Sequence, residues 1–533
     1  MKSSASGHSV LLTLVSLLSA CGSKPVPPAS EPTPPAAAAH SLLGKSIAEL
    51  QKDLSTGTLT SEALTREYLQ RIQTIDRQGP TLRSVLSLNP DAIDEARALD
   101  QERKQKGARG PLHGIPILIK DNIESAGKLA TTAGSLALAE NVSGRDAPIV
   151  ANLRAAGAII LGKANLSEWA NFRSDHSLSG WSAVGGLTRN AHVLDRSACG
   201  SSAGSAVSIA AGLAAASVGT ETDGSITCPA AMNGIVGLKP TVGLLSQEGI
   251  VPIAHSQDAP GPMTATVTDA ALMLSAMVGD RPACNGSITG CRKSDYAAGL
   301  NATALQGKRV GVLRFETGRH PRIEPVYDKA LQVLRDAGAA LVEVKLPDMQ
   351  RIRAAEGIVL NTEFKVDLAA YLATTPAAVK TRDLAALIAF NQGSERELAL
   401  FGQDTFIEAE QTRGLDDADY KAALADSKQL ARDGIAKLLQ DQQLDLLVAP
   451  TSGATWRTDV VNGDHFPGSF STLPAVAGFP HLTVPMGEIE HLPLGMSFIG
   501  PAWSEDLLLA AGFAFEQHAK VRIEPQFIPS IDR

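Results

Sequence analysis

The sequence predicts an α/β fold built as one large domain, and three observations lead there. Short β-branched apolar runs alternate with helical patterns along the chain. No internal repeat and no convincing second linker divides the 533 residues. Aromatic residues make up only 4% while glycine numbers 47, a composition that builds a core by close backbone approach and not by ring packing. The 48 Lys+Arg against 56 Asp+Glu leave a net charge of −8 with no long basic run, so no nucleic-acid partner is expected.

Residues 1–20 carry Lys2, an apolar run from Val10 to Leu18, and the small pair Ser19-Ala20 just before Cys21, which reads as a bacterial secretion signal. The run is too short to span a bilayer. Leu18-Ser19-Ala20-Cys21 resembles the lipobox of bacterial lipoproteins, a likeness that implies acylation of Cys21; a plain cleaved signal with an accidental cysteine is the alternative. From Gly22 to Ala39 six prolines and an alanine run make a semi-extended tether, so residues 21–42 are expected to link the anchor to a body spanning 43–533. The body is then expected outside the cytoplasm, in the periplasm or cell envelope, touching the membrane through its lipid alone. Gly22 after Cys21, in place of Asp, favours the outer membrane.

The body opens with helices: Ser46-Ile47-Ala48-Glu49 has capping-box spacing, and Leu64, Tyr68, Leu69, Ile72 and Ile75 recur at helical intervals. Gly114 to Ile119 reads as a buried strand ending at Lys120-Asp121-Asn122. A helix from Ile149 to Ala156 leads into a second strand, Ala158 to Leu161. Residues 203–218, almost all Ala, Gly, Ser and Val, read as one interior helix. Strands at 309–313, 341–344 and 444–450 and a helix at 326–337 continue the alternation, and 350–435 is mostly helical and polar, an excursion over one edge of the site.

Five cysteines remain: Cys21, Cys199, Cys228, Cys284 and Cys291. The turn-rich segment between Cys284 and Cys291 makes that pair the plausible disulfide in an oxidising compartment, with two free thiols the alternative. Cys228 is expected to be a small buried residue. No Cys/His spacing resembles a zinc site, so no metal is expected.

Chemistry concentrates in two Gly/Ser loops, Cys199 to Ser205 and Gly219 to Ile226. Successive backbone N–H groups in such loops can converge on an anion or a developing oxyanion, and serines beside them are natural nucleophiles. A P-loop would need Gly-Lys-Ser/Thr, but Gly204 is followed by Ser205-Ala206. Gly200-x-Ser202-x-Gly204 matches a nucleophile elbow, yet the preceding Leu194 to Cys199 is too polar for the strand that an elbow requires. The third reading takes Ser225 as nucleophile, Ser201 as proton relay and Lys120 as base. A lysine acts as base only when neutral, which requires burial to lower its pKa by roughly three units, about 4 kcal/mol. By itself, a lysine at a strand end is read first as a solvated cap or a partner of Asp121.

Lys120-Asp121-Asn122, Gly200 to Ala206, Gly219 to Ile226 and Gly237-Leu238-Lys239-Pro240-Thr241, in this order, resemble the amidase signature family. Asn165 to Arg173, Thr222 to Ser225 with Cys228-Pro229-Ala230, and Ser256 to Pro262 look most like the bacterial peptide amidases within it. The resemblance runs from about residue 45 to the C-terminus. It implies a central mixed β-sheet covered by helices on both faces, and hydrolysis of carboxamides, foremost C-terminal peptide amides, to acid and ammonia through an acyl-enzyme. It further implies Ser225 as nucleophile, Ser201 after a cis peptide bond as bridge, and Lys120 as base. The N–H groups of Thr222, Asp223, Gly224 and Ser225 would form the oxyanion hole, Ser202 would support the network, and no cofactor or metal would be needed. Asn171 and Phe172 would line the substrate cleft. Many members carry two glycines before the nucleophile; Asp223 stands at the first of these positions here.

Competing expectations are a hydrolase of aryl amides, esters or small carboxamides, the glutaminase component of a tRNA-dependent amidotransferase, and a non-catalytic binding lipoprotein. A further one is an esterase using Ser202 with His176, His192 or His255. Export argues against the amidotransferase component, whose partners would be cytoplasmic.

Overall fold

The computed structural model describes residues 44–279, 295–315 and 320–532. Cys21 with the signal and tether, and the pair Cys284 and Cys291, lie outside the described residues.

Thirteen strands are described: β1 Val85–Leu88, β2 Pro116–Lys120, β3 Ile159–Ala164, β4 Trp181–Ser182, β5 Gly186–Leu187, β6 Ala216–Glu221, β7 Val236–Lys239, β8 Ala259–Thr264, β9 Arg309–Val312, β10 Ala340–Glu343, β11 Leu446–Pro450, β12 His481–Ile489 and β13 Leu492–Ile499. Eleven form one mixed sheet in the order β1-β3-β2-β6-β8-β7-β12-β13-β11-β9-β10, and β4 and β5 pair apart. The parallel pairings β3-β2-β6 and β11-β9-β10 flank an antiparallel centre. All five residues of β2, all six of β3 and all six of β6 are buried, as continuous apolar or small-residue runs require of strands covered on both sides.

Helices Ala203–Ala210 and Thr227–Met232 pack on each other and on the sheet, while Val267–Val278 and Glu505–Ala519 pack as another pair against β7, β8, β12 and β13. The capping box at Ser46 and Glu49 forms as the spacing predicts. Helices Met349–Ala373, Leu384–Gln392, Asp404–Glu410 and Ala418–Asp441 make up the polar excursion. No helix among the described residues is long and apolar enough to cross a membrane.

One element differs from expectation. The helix read over 203–218 stops at Ala210, and from Ala216 the chain is strand β6. Gly212 takes φ +63°, a left-handed turn that ends the helix, and Ala216 to Val218 then hydrogen-bond between β2 and β8. Small residues carry too little side-chain pattern to mark this change. The consequence is functional: the turn after β6, not a helix end, presents the second Gly/Ser loop.

Candidate active site

Lys120 ends β2, a strand with no exposed residue, and its amine finds polar partners on the adjacent strand and in a neighbouring loop. Its Nζ lies 2.7 Å from Ser201 Oγ, 3.1 Å from the Thr220 carbonyl and 2.8 Å from Thr220 Oγ1, the last two on β6. Burial pushes the Lys120 amine down to about 7, against the opposing charges of Asp258 and Glu221. Asp121 is no ion-pair partner for it. The Asp121 carboxylate turns away to accept from the hydroxyl and N–H of Thr132, beside Lys163.

The peptide bond between Gly200 and Ser201 is cis. Ser201 is held by its own carbonyl, which accepts from Ser167 N–H at 3.0 Å. The next residue, Ser202, donates its N–H to the Ser225 carbonyl at 3.1 Å, so the two Gly/Ser loops are joined at the serines the sequence singled out. Gly204 fits because a Cβ there would fall 2.3 Å from the Ser84 carbonyl oxygen and 2.5 Å from the Asn165 backbone.

The turn from Glu221 to Ser225 is pinned at three points. Buried Glu221 accepts with Oε2 from the N–H groups of Ile226 and Thr227 at 2.8 and 2.9 Å. Thr222 Oγ1 donates to Asp258 Oδ1 at 2.5 Å, and Asp223 Oδ2 accepts from Thr472 Oγ1 at 2.7 Å. Gly224 has φ +78°, a conformation that explains glycine immediately before Ser225. Among the described residues, no protein acceptor takes the N–H of Asp223, Gly224 or Ser225. Burial raises the Asp223 carboxyl, partly offset by the hydroxyls of Ser471 and Thr472.

Ser225, 8% exposed, opens on a cavity of about 1230 Å³. Asn171, Gly200, Asp223 and Gly224 share its wall with Arg353, Asp464, Phe466 and Phe470. Asn171 lies on this wall, with Oδ1 accepting from Ser177 Oγ at 2.9 Å. Phe172 does not: its ring packs against Phe364 at 5.0 Å, away from the cavity wall. A second cavity of about 300 Å³ lies against the Lys120 side and is lined by Asn122, Thr220, Thr222 and Asp258 among others.

Ser202 Oγ donates to the Thr220 carbonyl at 3.1 Å, a supporting contact. None of the three candidate histidines bonds to it: His192 Nε2 contacts the Asn233 carbonyl and His255 Nδ1 faces Asp367, while His176 sits in an exposed loop. The segment before Cys199 contains no strand, so the nucleophile-elbow geometry is absent there.

Cys228 is buried as expected and is in addition joined by a disulfide to Cys199 across 29 residues, with Cα atoms 6.1 Å apart. The pairing expected of Cys284 and Cys291 falls outside the described residues. The folded loops bring Cys199, two residues before Ser201, to Cys228, three residues after Ser225, and both line the main cavity.

The profile of the Amidase family matches residues 63–509, most of the chain. The chain belongs to the amidase signature family. It is 39% identical to a probable amidase of Arabidopsis thaliana over 495 residues, covering 90% of this chain and 91% of that protein. The structure of native peptide amidase from Stenotrophomonas maltophilia is 49% identical with a TM-score of 0.85, covering 91% of this chain and 98% of that one. A glutamyl-tRNA(Gln) amidotransferase component of Roseiflexus castenholzii is 35% identical, covering 88% of this chain and 95% of that protein. As an amidase signature protein it is an amide hydrolase, and the 11-stranded sheet with its helices is the amidase fold.

Thr220, Asn122, Asp258 and Thr472 escaped the sequence reading. Three of them had an available signal, since Thr220 sits in the Gly219 to Ile226 motif, Asn122 in Lys120-Asp121-Asn122 and Asp258 in Ser256 to Pro262. Thr472 reaches the site from a separate segment.

Proposed function

We propose that this amidase hydrolyses C-terminal peptide amides to the acid and ammonia, with Ser225 as nucleophile, Ser201 as bridge and Lys120 as base. The observation that carries this reading is the buried 2.7 Å contact between Lys120 Nζ and Ser201 Oγ, at a lysine whose burial brings it to about 7. Near neutral pH a large fraction of such a lysine is uncharged and able to accept a proton.

In the first half-reaction Ser225 gives its proton to Ser201, Ser201 passes its own to Lys120, and Ser225 Oγ bonds to the amide carbon. The N–H groups of Asp223, Gly224 and Ser225, left without protein acceptors, with Thr222 beside them, suit the negative oxygen of the tetrahedral intermediate. The proton returns through Ser201 to the leaving nitrogen, the C–N bond breaks and ammonia departs. Water then attacks the ester by the same relay and releases the acid with Ser225 restored.

Two features favour a peptide over a small carboxamide. The cavity of about 1230 Å³ exceeds the roughly 300–1,000 Å³ of common small-molecule sites. The likeness to the S. maltophilia peptide amidase also covers nearly the whole of that protein. We also propose residues 1–20 as a lipoprotein signal, 21–42 as a tether from lipidated Cys21, and 43–533 as an exported catalytic body. The Cys199–Cys228 disulfide supports export, because such bonds persist in oxidising compartments.

The test is turnover of a short peptide amide, an anilide and a small carboxamide, read as ammonia from the first and third and as aniline from the second, with the acid product identified by mass. Preference for the peptide amide supports the reading. Turnover confined to the anilide or the small carboxamide overturns the substrate assignment.

A further inference from the structure

We propose that Asn122 and Thr220 are positioning residues that aim the lone pair of neutral Lys120 at Ser201. The inference rests on the Ser225–Ser201–Lys120 reading and deepens it.

Lys120 Nζ has three partners: Ser201 Oγ at 2.7 Å, the Thr220 carbonyl at 3.1 Å and Thr220 Oγ1 at 2.8 Å. A neutral amine has two hydrogens and one lone pair to share among them. The carbonyl only accepts, so it takes one hydrogen. A hydroxyl can either donate or accept, and the outcome at Thr220 decides the chemistry. If Thr220 Oγ1 donated to the amine, it would occupy the lone pair, and Ser201 would face an N–H that cannot remove its proton. If Thr220 Oγ1 accepts, the second hydrogen is held there and the lone pair is left facing Ser201.

Asn122 settles this choice. Its Nδ2 lies 3.0 Å from the same Thr220 Oγ1. In that orientation an amide N–H on one lone pair of the hydroxyl would leave the hydroxyl hydrogen free to go to Lys120. With the amide turned over, the hydroxyl donates to Asn122 Oδ1, its hydrogen is kept from Lys120, and its lone pairs are left to accept from the amine. This second orientation is the one we assign. Asn122 is 2% exposed, its carbonyl accepts from Val251 N–H at 2.8 Å, and among the described residues Oδ1 has no hydrogen-bond partner. A buried amide oxygen left unpartnered is costly, and turning the amide over gives it the Thr220 hydroxyl as donor.

The charges around this cluster are few. Asp258 and Glu221 act on Lys120, Lys163 lies on the neighbouring strand β3, and Arg145, Glu248, His255 and Asp367 line the second cavity. A new carboxylate at position 122 would join Asp258 and Glu221 in favouring charged Lys120.

The experiment measures kcat and KM for a peptide amide across pH in wild type, Asn122→Leu, Asn122→Asp and Lys120→Ala. Asn122→Leu frees the Thr220 hydroxyl to donate to Lys120, so kcat should fall roughly tenfold or more while KM stays within about twofold. Asn122→Asp accepts from the hydroxyl and should recover most of that loss at its plateau, with the acid limb moved up by roughly one pH unit. Wild-type kcat and pH profile in Asn122→Leu would overturn the proposal. So would Asn122→Asp with the full loss and no shift, and this variant decides alone if Asn122→Leu does not fold. Activity in Lys120→Ala would instead remove the base assignment beneath it, so the two failures are distinguishable.

Discussion

Reduction of the Cys199–Cys228 bond perturbs the candidate site without removing a heavy atom. The bond closes a loop across 29 residues, and release of that constraint in the unfolded chain is worth about 3.6 kcal/mol by loop-closure entropy. With an unfolding entropy of about 2.1 cal/mol/K per residue, roughly 470 described residues give about 1 kcal/mol/K. The expected fall in Tm is therefore about 3.5 °C. Both cysteines line the main cavity, so a small phosphine can reach them. Matched calorimetric scans of oxidised and reduced protein at one scan rate, with thiols counted before each scan, make the comparison. Coincident melts of fully oxidised and fully reduced protein would refute the loop-entropy argument.

Other expectations follow from the same geometry. Since Lys120 is neutral only above its pKa of about 7, kcat/KM should rise with pH through that value and fall roughly tenfold per unit below it; a maximum near pH 5 would contradict a lysine base. Asp258 favours charged Lys120, so Asp258→Asn should move the acid limb to lower pH, as read from the same profile, provided the Thr222 contact survives. Gly204→Ala would place a Cβ 2.3 Å from the Ser84 carbonyl oxygen, and a loss of about 1–3 kcal/mol or more is expected in denaturant unfolding. Phe466, half exposed on the cavity wall, should contribute to substrate binding, so Phe466→Ala should raise KM for a peptide amide more than it lowers kcat.

The sequence was most legible where residues carry strong local pattern. Strands β2 and β3 open with apolar runs, Pro116 to Ile119 and Ile159 to Leu161, and appear within a few residues of their expected places. Strand β6 did not, because Ala-Ser-Val-Gly suits a close-packed helix and a buried strand equally. Strand β8 was hidden by its composition: Ala-Pro-Gly-Pro-Met-Thr reads as a turn, yet it pairs with both β6 and β7. Lys120, Ser201 and Ser225 were legible only as members of spaced motifs, since a lysine after an apolar strand has several ordinary fates. The side chains found around Lys120, namely Thr220 from β6, Asn122 beyond β2 and Asp258 before β8, meet only when three strands come into register. The disulfide was missed for a related reason. Two cysteines 29 residues apart are unremarkable in sequence, and become neighbours when Ser202 N–H meets the Ser225 carbonyl.

Ammonia release from an amidated peptide by wild type, Ser225→Ala, Ser202→Ala and Lys120→Ala, each checked for a native melt, puts the assignment of the nucleophile and base at risk in one assay. Turnover should vanish in Ser225→Ala and Lys120→Ala and persist, reduced, in Ser202→Ala. Loss confined to Ser202→Ala would contradict it and return the nucleophile to the first Gly/Ser loop.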